Sequence, residues 1–233
     1  MKPGSLPPGR PKEGDVPLGG TARSARERTG LTVLAVVAFA VSAVACADGL
    51  AQLKAFNETT KSGKTAFTQT VAAKGQAEPK ESKGTFSFQR PGKFRWAYER
   101  PFEQLIVGDG ERLWIYDRDL NQVIVRKLDR ALGSTPAALL SGGGALEANF
   151  ELIDGGRRDG LDFVEAKPRT ADTGFERVRI GLANNLPRTM ELKDTLGNVT
   201  TLRFDAFERN APLDAGQFRY VPPPGADIVG ETK

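Results

Sequence analysis

No histidine occurs anywhere in this 233-residue chain. That removes the general base of Ser-His-Asp catalysis and the commonest nitrogen ligand of protein-bound zinc. Cysteine is nearly as scarce, and the single one, Cys46, admits neither an internal disulfide nor a thiolate cluster. No phosphate-cradling P-loop and no dinucleotide-binding glycine fingerprint appears in the sequence. Acidic pairs such as Asp117 with Asp119 fall between two strand patterns, where polar turn residues are expected, so they do not argue for glycosidase chemistry. These absences point away from an enzyme and from any cofactor.

Long hydrophobic runs are missing too, with one short exception. Residues Leu31 to Val44 form an apolar stretch preceded by Arg23, Arg26 and Arg28 and followed by the small-residue site Ala45-Cys46-Ala47. Basic region, apolar core and small-residue cleavage site are the three parts of a secretory signal. Such a stretch spans roughly 21 Å as a helix, short of the roughly 30 Å needed to cross the hydrocarbon core of a membrane. We therefore expect residues 1–47 to be an N-terminal extension and cleaved signal peptide, and residues 48–233 to form one domain. The tetrad Ala43-Val44-Ala45-Cys46 is a weak lipobox, carrying Ala43 where such signals usually have Leu.

Charge changes its meaning once that segment is set apart. The whole chain has 33 Lys and Arg against 29 Asp and Glu. Six of those basic side chains and three of the acidic ones lie in residues 1–47, so the remainder carries a net charge of only +1. The basicity belongs to the targeting segment, and nucleic-acid binding loses its main support.

From Asp48 onward Leu50, Leu53, Ala55 and Phe56 recur at helical spacing, predicting one amphipathic helix that ends near Gly63. The period then switches to two. Phe67, Gln69 and Val71, then Phe86 and Phe88, then Phe94, Trp96 and Tyr98 alternate with small or polar neighbours, as in half-buried strands. Further strands are predicted over 103–108, 111–117, 122–127, 150–157, 161–167, 175–182, 188–194 and 198–208, separated by hairpin-type turns. Between them, Thr135 is placed to cap a helix opening at Pro136 and running through Leu139 and Leu140, with Gly142-Gly143-Gly144 as a hinge after it. About eleven short strands and so few helices predict a sandwich or one strongly curved sheet with helices over its concave side. The aromatic face made by Phe86, Phe88, Phe94, Trp96 and Tyr98 suits a packed core or a ligand wall equally well on pattern alone.

Two segments carry a resemblance. Arg90-Pro91-Gly92-Lys93-Phe94-Arg95-Trp96, and Gly108-Asp109-Gly110 with Leu113-Trp114-Ile115-Tyr116, match the LolA-type outer-membrane lipoprotein carriers in order and spacing. Thr135-Pro136 with Leu139 and Leu140, and the ending Phe218 to Asp227, agree with the same family, while residues 150–200 match more weakly. The resemblance implies an incomplete antiparallel β-barrel with a helical lid over a hydrophobic cavity. It implies a monomeric periplasmic chaperone of a Gram-negative cell, which accepts acylated lipoproteins released by an inner-membrane ABC transporter and delivers them to an outer-membrane receptor. By the same resemblance Phe86, Phe88, Phe94, Trp96, Tyr98, Leu139 and Leu140 line the cavity. Arg90 then latches the lid by bonding to the end of the helix over 136–141. A membrane-anchored receptor, which needs a lipidated Cys46, and a lipid-sensing periplasmic protein are the alternatives on that fold.

Overall fold

The computed structural model describes residues 48–128, 136–141, 145–169 and 174–230. Thr135, Gly142 to Gly144 and the whole of residues 1–47 lie outside the described residues, and with them the expected helix cap, hinge and signal peptide.

Helix α1, Gly49–Thr59, begins where the Asp48 carboxylate accepts the backbone N–H of Ala51 at 2.7 Å, satisfying one of the amides that a helix start leaves without a partner. It stops at Thr59, short of the glycine at 63 that the sequence suggested as its end. Gly63 instead lies in the first strand, where an added Cβ would come within 2.8 Å of the Phe88 ring and 2.9 Å of the Phe207 ring. The glycine makes room for two aromatics and does not stop a helix.

The strands are β1 (Ser62–Ala72), β2 (Lys80–Gln89), β3 (Lys93–Arg100), β4 (Gln104–Asp109), β5 (Arg112–Asp117), β6 (Gln122–Lys127), β7 (Phe150–Arg158), β8 (Leu161–Pro168), β9 (Phe175–Ala183), β10 (Leu186–Asp194), β11 (Val199–Arg209) and β12 (Asp227–Gly230). Two short helices, α2 (Pro136–Ser141) and α3 (Ala145–Asn149), interrupt the meander after β6. All twelve strands join one sheet in the order β12-β6-β5-β4-β3-β2-β1-β11-β10-β9-β8-β7. Its two end strands do not pair with each other, so the curved sheet stays unclosed, as the incomplete barrel read from the sequence requires. Among the described residues every strand pairing is antiparallel except that of β12 with β6. Strand β12 is the one that the sequence pattern missed. All four of its residues are exposed, so it has no alternation to read.

Each face of the sheet has its own apolar layer. The concave layer runs from Phe67, Phe86, Phe88, Phe94 and Trp96 to Val164, Ile180, Met190 and Leu202, and Leu53 and Phe56 of α1 press into it. Helix α1 packs over β7 to β10, and α2 over β2 and β3. Docking of α1 is close: a Cβ on Gly49 would meet the Phe163 carbonyl at 2.4 Å. The Gln52 side chain ties the helix down, donating to Asp162 Oδ2 at 2.6 Å and accepting the Asn185 amide at 2.9 Å. On the convex side the C-terminal segment crosses the sheet as a strap. Its one-turn helix Ala215–Phe218 packs on β3 and β4, and the Tyr220 ring meets those of Trp114 and Tyr116 at 5.7 and 6.1 Å. Phe218, Val107, Val123 and Val125 are buried in this second layer.

Candidate functional site

Cross-strand register assembles the aromatic wall. Phe86 of β2 stands opposite Trp96 of β3, Phe88 opposite Phe94, and Phe67 of β1 opposite Phe204 of β11. Successive side chains of a strand point to opposite faces, so Phe94, Trp96 and Tyr98 share the concave side while Arg95 and Ala97 take the other. The rings touch in an unbroken series. Phe67 lies 4.3 Å from Trp96 between centroids, Trp96 4.9 Å from Phe86, and Phe86 stacks on Phe88 at 5.5 Å. Phe56 closes the series from above, edge-on to Phe88 at 6.2 Å and to Phe207 at 5.8 Å. Such pairs add about 0.5–1.5 kcal/mol each beyond the apolar area they bury.

Glycine at 108 belongs to this wall. It stands opposite Phe94, and a Cβ there would fall 2.4 Å from the Phe94 ring, so only glycine lets that ring lie flat across β4.

Of the residues singled out from the sequence, Phe86, Phe88, Phe94, Trp96 and Leu140 are fully buried in the concave layer, and Tyr98 is half-buried at its margin. Leu139 lies in α2, but its side chain is outside the described residues. In this state the wall is therefore covered: α1 and α2 occupy the space in front of it.

Arg90 joins those two helices. It follows the end of β2, and its guanidinium points back beneath the helices. Its Nη1 donates to the carbonyl oxygens of Phe56 (3.3 Å), Asn57 (3.1 Å) and Thr60 (2.5 Å), and its Nη2 to Asn57 Oδ1 and to the Leu140 carbonyl, both at 3.0 Å. The last carbonyls of a helix lack partners within it, and a planar five-donor fork suits several at once. A cation is also favoured at the negative end of a helix dipole. The guanidinium carbon further sits 4.8 Å from the Phe56 ring centroid and 5.2 Å from that of Phe88. Burial pushes the Arg90 pKa down to about 10, against the opposing pull of Glu147, so the group remains a cation at neutral pH.

The sequence pointed only to the helix over 136–141 as Arg90's partner. Four of its five hydrogen bonds go instead to the end of α1 and its C-cap. Asn57 carries no sequence signal of its own, yet it is the hub: its Oδ1 accepts from Arg90 and its Nδ2 donates to Glu147 of α3 at 3.1 Å. Phe56, Phe67, Phe204 and Phe207 join the wall without having been singled out as cavity residues. The only available signal was the helical spacing that put Phe56 on the buried face of α1 and the alternation that put Phe67 on β1.

Residues 58–221 match the family model described as outer membrane lipoprotein carrier protein LolA. The chain is 46% identical over 200 residues to the outer-membrane lipoprotein carrier protein of Dechloromonas aromatica, covering 85% of this chain and 96% of that protein. It is 47% identical over 186 residues to the protein of the same name from Nitrosospira multiformis, covering 79% and 90% of the two. Among solved structures it is similar to a LolA superfamily protein from Nitrosomonas europaea, with a TM-score of 0.44 and 13% identity, over 75% of this chain and 98% of that one.

Proposed function

This chain belongs to the LolA family of outer membrane lipoprotein carrier proteins, and we propose on that footing that it is a periplasmic chaperone for acylated lipoproteins. The observation that carries the reading is the covered aromatic wall joined to its covering helices through one guanidinium. Acyl chains have no polar groups to satisfy and bind wherever apolar surface is withdrawn from water, at roughly 25 cal/mol per Å². The Phe67, Phe86, Phe88, Phe94 and Trp96 rings offer such surface once α1 and α2 give way. Arg90 opposes that opening and so governs both loading and release.

In this reading the cargo comes from an inner-membrane ABC transporter and passes to an outer-membrane receptor. Residues 1–47 serve as the export signal, and the mature chain starts at Asp48. Asp48 suits that position, since it caps α1 through its own side chain. The intact mass of the protein recovered from cells tests the boundary: an acylated chain beginning at Cys46 would make the protein a membrane-anchored receptor instead.

The decisive experiment is purification from a cell envelope followed by mass spectrometry of what co-purifies, combined with transfer of a purified lipoprotein from loaded carrier to receptor. Bound lipoprotein and measurable transfer are expected. Neither co-purifying acylated cargo nor uptake in vitro would sink the reading.

A further inference from the structure

Along the concave face, neighbouring strands change from apolar to polar within one register step of each other. Toward the end of the sheet where β3 turns into β4, the inward residue passes from Phe67 to Gln69 on β1, from Gly84 to Ser82 on β2 and from Trp96 to Tyr98 on β3. On the next strands it passes from Ile106 to Gln104 on β4 and from Ile115 to Asp117 on β5. Register pairs Gln69 with Ser82 and sets Tyr98, Gln104 and Asp117 in a row; Tyr98 itself stands opposite Gly84, so the two groups are offset by one step and meet diagonally through the Tyr98–Gln69 contact. A pocket of about 520 Å³ opens over all five. Phe102 and Leu120, 71% and 70% exposed in the turns after β3 and β5, form its outer rim.

Tyr98 marks the boundary between the two chemistries. Its ring packs edge-on against Phe67 at 5.4 Å, while its hydroxyl donates to Gln69 Oε1 at 3.0 Å. A carboxamide whose oxygen is held in this way presents its nitrogen, a two-proton donor, as its other polar end. The Asp117 carboxylate is engaged by the Leu120 amide at 3.1 Å, which fixes the rim. The pocket walls contain no Lys or Arg, and although Glu103 is ion-paired with Arg118, Asp117 and Asp119 also line them, so an anionic phosphate headgroup is disfavoured there. Neutral donors beside an apolar wall match instead a ligand that is hydrocarbon along most of its length and carries uncharged carbonyls at one end.

We propose that Gln69, Ser82, Tyr98 and Gln104 form a polar sill that binds the ester and amide carbonyls at which an acylated cargo passes from hydrocarbon to peptide. The sill orients the cargo, with acyl chains running along the aromatic wall toward Arg90 and the polypeptide leaving between Phe102 and Leu120. It rests on the carrier reading above and adds selection of acylated peptide over phospholipid to it.

The test compares the carrier purified from the cell envelope with a Gln69→Leu/Gln104→Leu variant. Three probes are titrated: a hydrophobic naphthalene dye, a synthetic diacylglyceryl-cysteine peptide, and phosphatidylglycerol with the same acyl chains. Loss of two net hydrogen bonds predicts lipopeptide binding weaker by about tenfold or more in the variant. Dye binding is expected to stay within about twofold of the parent, since the dye has no carbonyl; phosphatidylglycerol, which has the ester carbonyls but an anionic headgroup that the acidic rim disfavours, is expected to bind the parent more weakly than the lipopeptide and to lose less in the variant. Lipopeptide bound equally by both proteins, or all three probes weakened together, would overturn the sill while leaving the carrier reading intact. A parent that binds no lipopeptide would sink both. Near-UV circular dichroism checks that the variant is folded, and Gln104→Met alone repeats the comparison if the leucine pair is not.

Discussion

Arg90 donates to the carbonyl oxygen of Leu140 at 3.0 Å, so a residue just past the end of β2 holds the last turn of a helix fifty positions further along the chain. The same guanidinium holds the end of α1, so one side chain bonds to both covering helices.

Replacing Arg90 by Leu is therefore expected to favour the open state. A hydrogen bond involving a charged group contributes roughly 1.5–3 kcal/mol, so losing the equivalent of one shifts the balance by about 10- to 150-fold. An open state stabilised in this way accepts cargo readily and gives it up poorly. Arg90→Leu should load with lipoprotein but transfer it slowly to receptor, and Arg90→Lys should recover only part of the rate, because an ammonium lacks the planar fork. Transfer at the parental rate by a folded Arg90→Leu protein would mean that the hydrogen bonds of Arg90 hold the two helices without governing release.

Asn57→Ala should act in the same direction with a smaller effect, since it removes one acceptor from Arg90 and the α1 link to Glu147 while leaving the backbone carbonyls in place. Combined with Arg90→Leu it should add little, because residues sharing a network are not additive. A double-mutant cycle on dye affinity measures this, and full additivity would mean that Asn57 acts elsewhere.

Gly108 and Phe94 offer a test of the wall itself. Gly108→Ala pushes a methyl into the Phe94 ring and should cost about 1–3 kcal/mol in urea unfolding, as overpacked cores do. Phe94→Leu frees that space, so Gly108→Ala should cost much less when introduced into the Phe94→Leu protein than into the parent. An equal penalty in both backgrounds would mean that the contact does not set it.

Asp109 predicts a pH dependence. Burial works to raise its pKa, but hydrogen bonds from the Trp114 indole (2.8 Å) and the Arg112 and Glu111 amides (2.7 and 2.9 Å) outweigh it, so the carboxyl ionises below its ordinary value of 3.8. A folded-state pKa depressed in this way contributes stability that is present above the unfolded value and disappears as the pH falls through the folded one. The stability advantage of the parent over Asp109→Asn should therefore be seen at neutral pH and fade below about pH 4. An advantage that stays constant down to about pH 2 would assign it to shape, with no contribution from charge.

The strands were largely legible because a sheet with one buried face writes its period into the sequence: Phe94, Trp96 and Tyr98 alternate as their burial does. What escaped were features without local pattern. Strand β12 pairs in parallel with a strand more than a hundred positions earlier and buries none of its residues. The hold of Arg90 on α1 reaches back some thirty positions to backbone carbonyls, which no side-chain identity announces. Gly63 misleads for a related reason: glycine ends helices and also admits rings, and only the neighbouring Phe88 and Phe207 decide which. The residues of the proposed sill stand in the same alternating pattern as the wall, but their meeting across neighbouring strands emerges only from register and from the Tyr98–Gln69 bond.

The strap that carries Phe218 and Tyr220 over the convex side bears on how the molecule can open. Strands β3 to β6 are bound together from behind by Phe218, Val107, Val123 and Val125, on the face turned away from the aromatic wall. The two sides of the sheet are thus fastened independently, one by an apolar seam and the other by helices that Arg90 links to each other and to the end of β2. In the proposed carrier cycle, opening of the concave side is then a local event that leaves the seam closed. On that proposal the sheet turns its wall over to a succession of unrelated lipid chains without risking its own unfolding at each exchange.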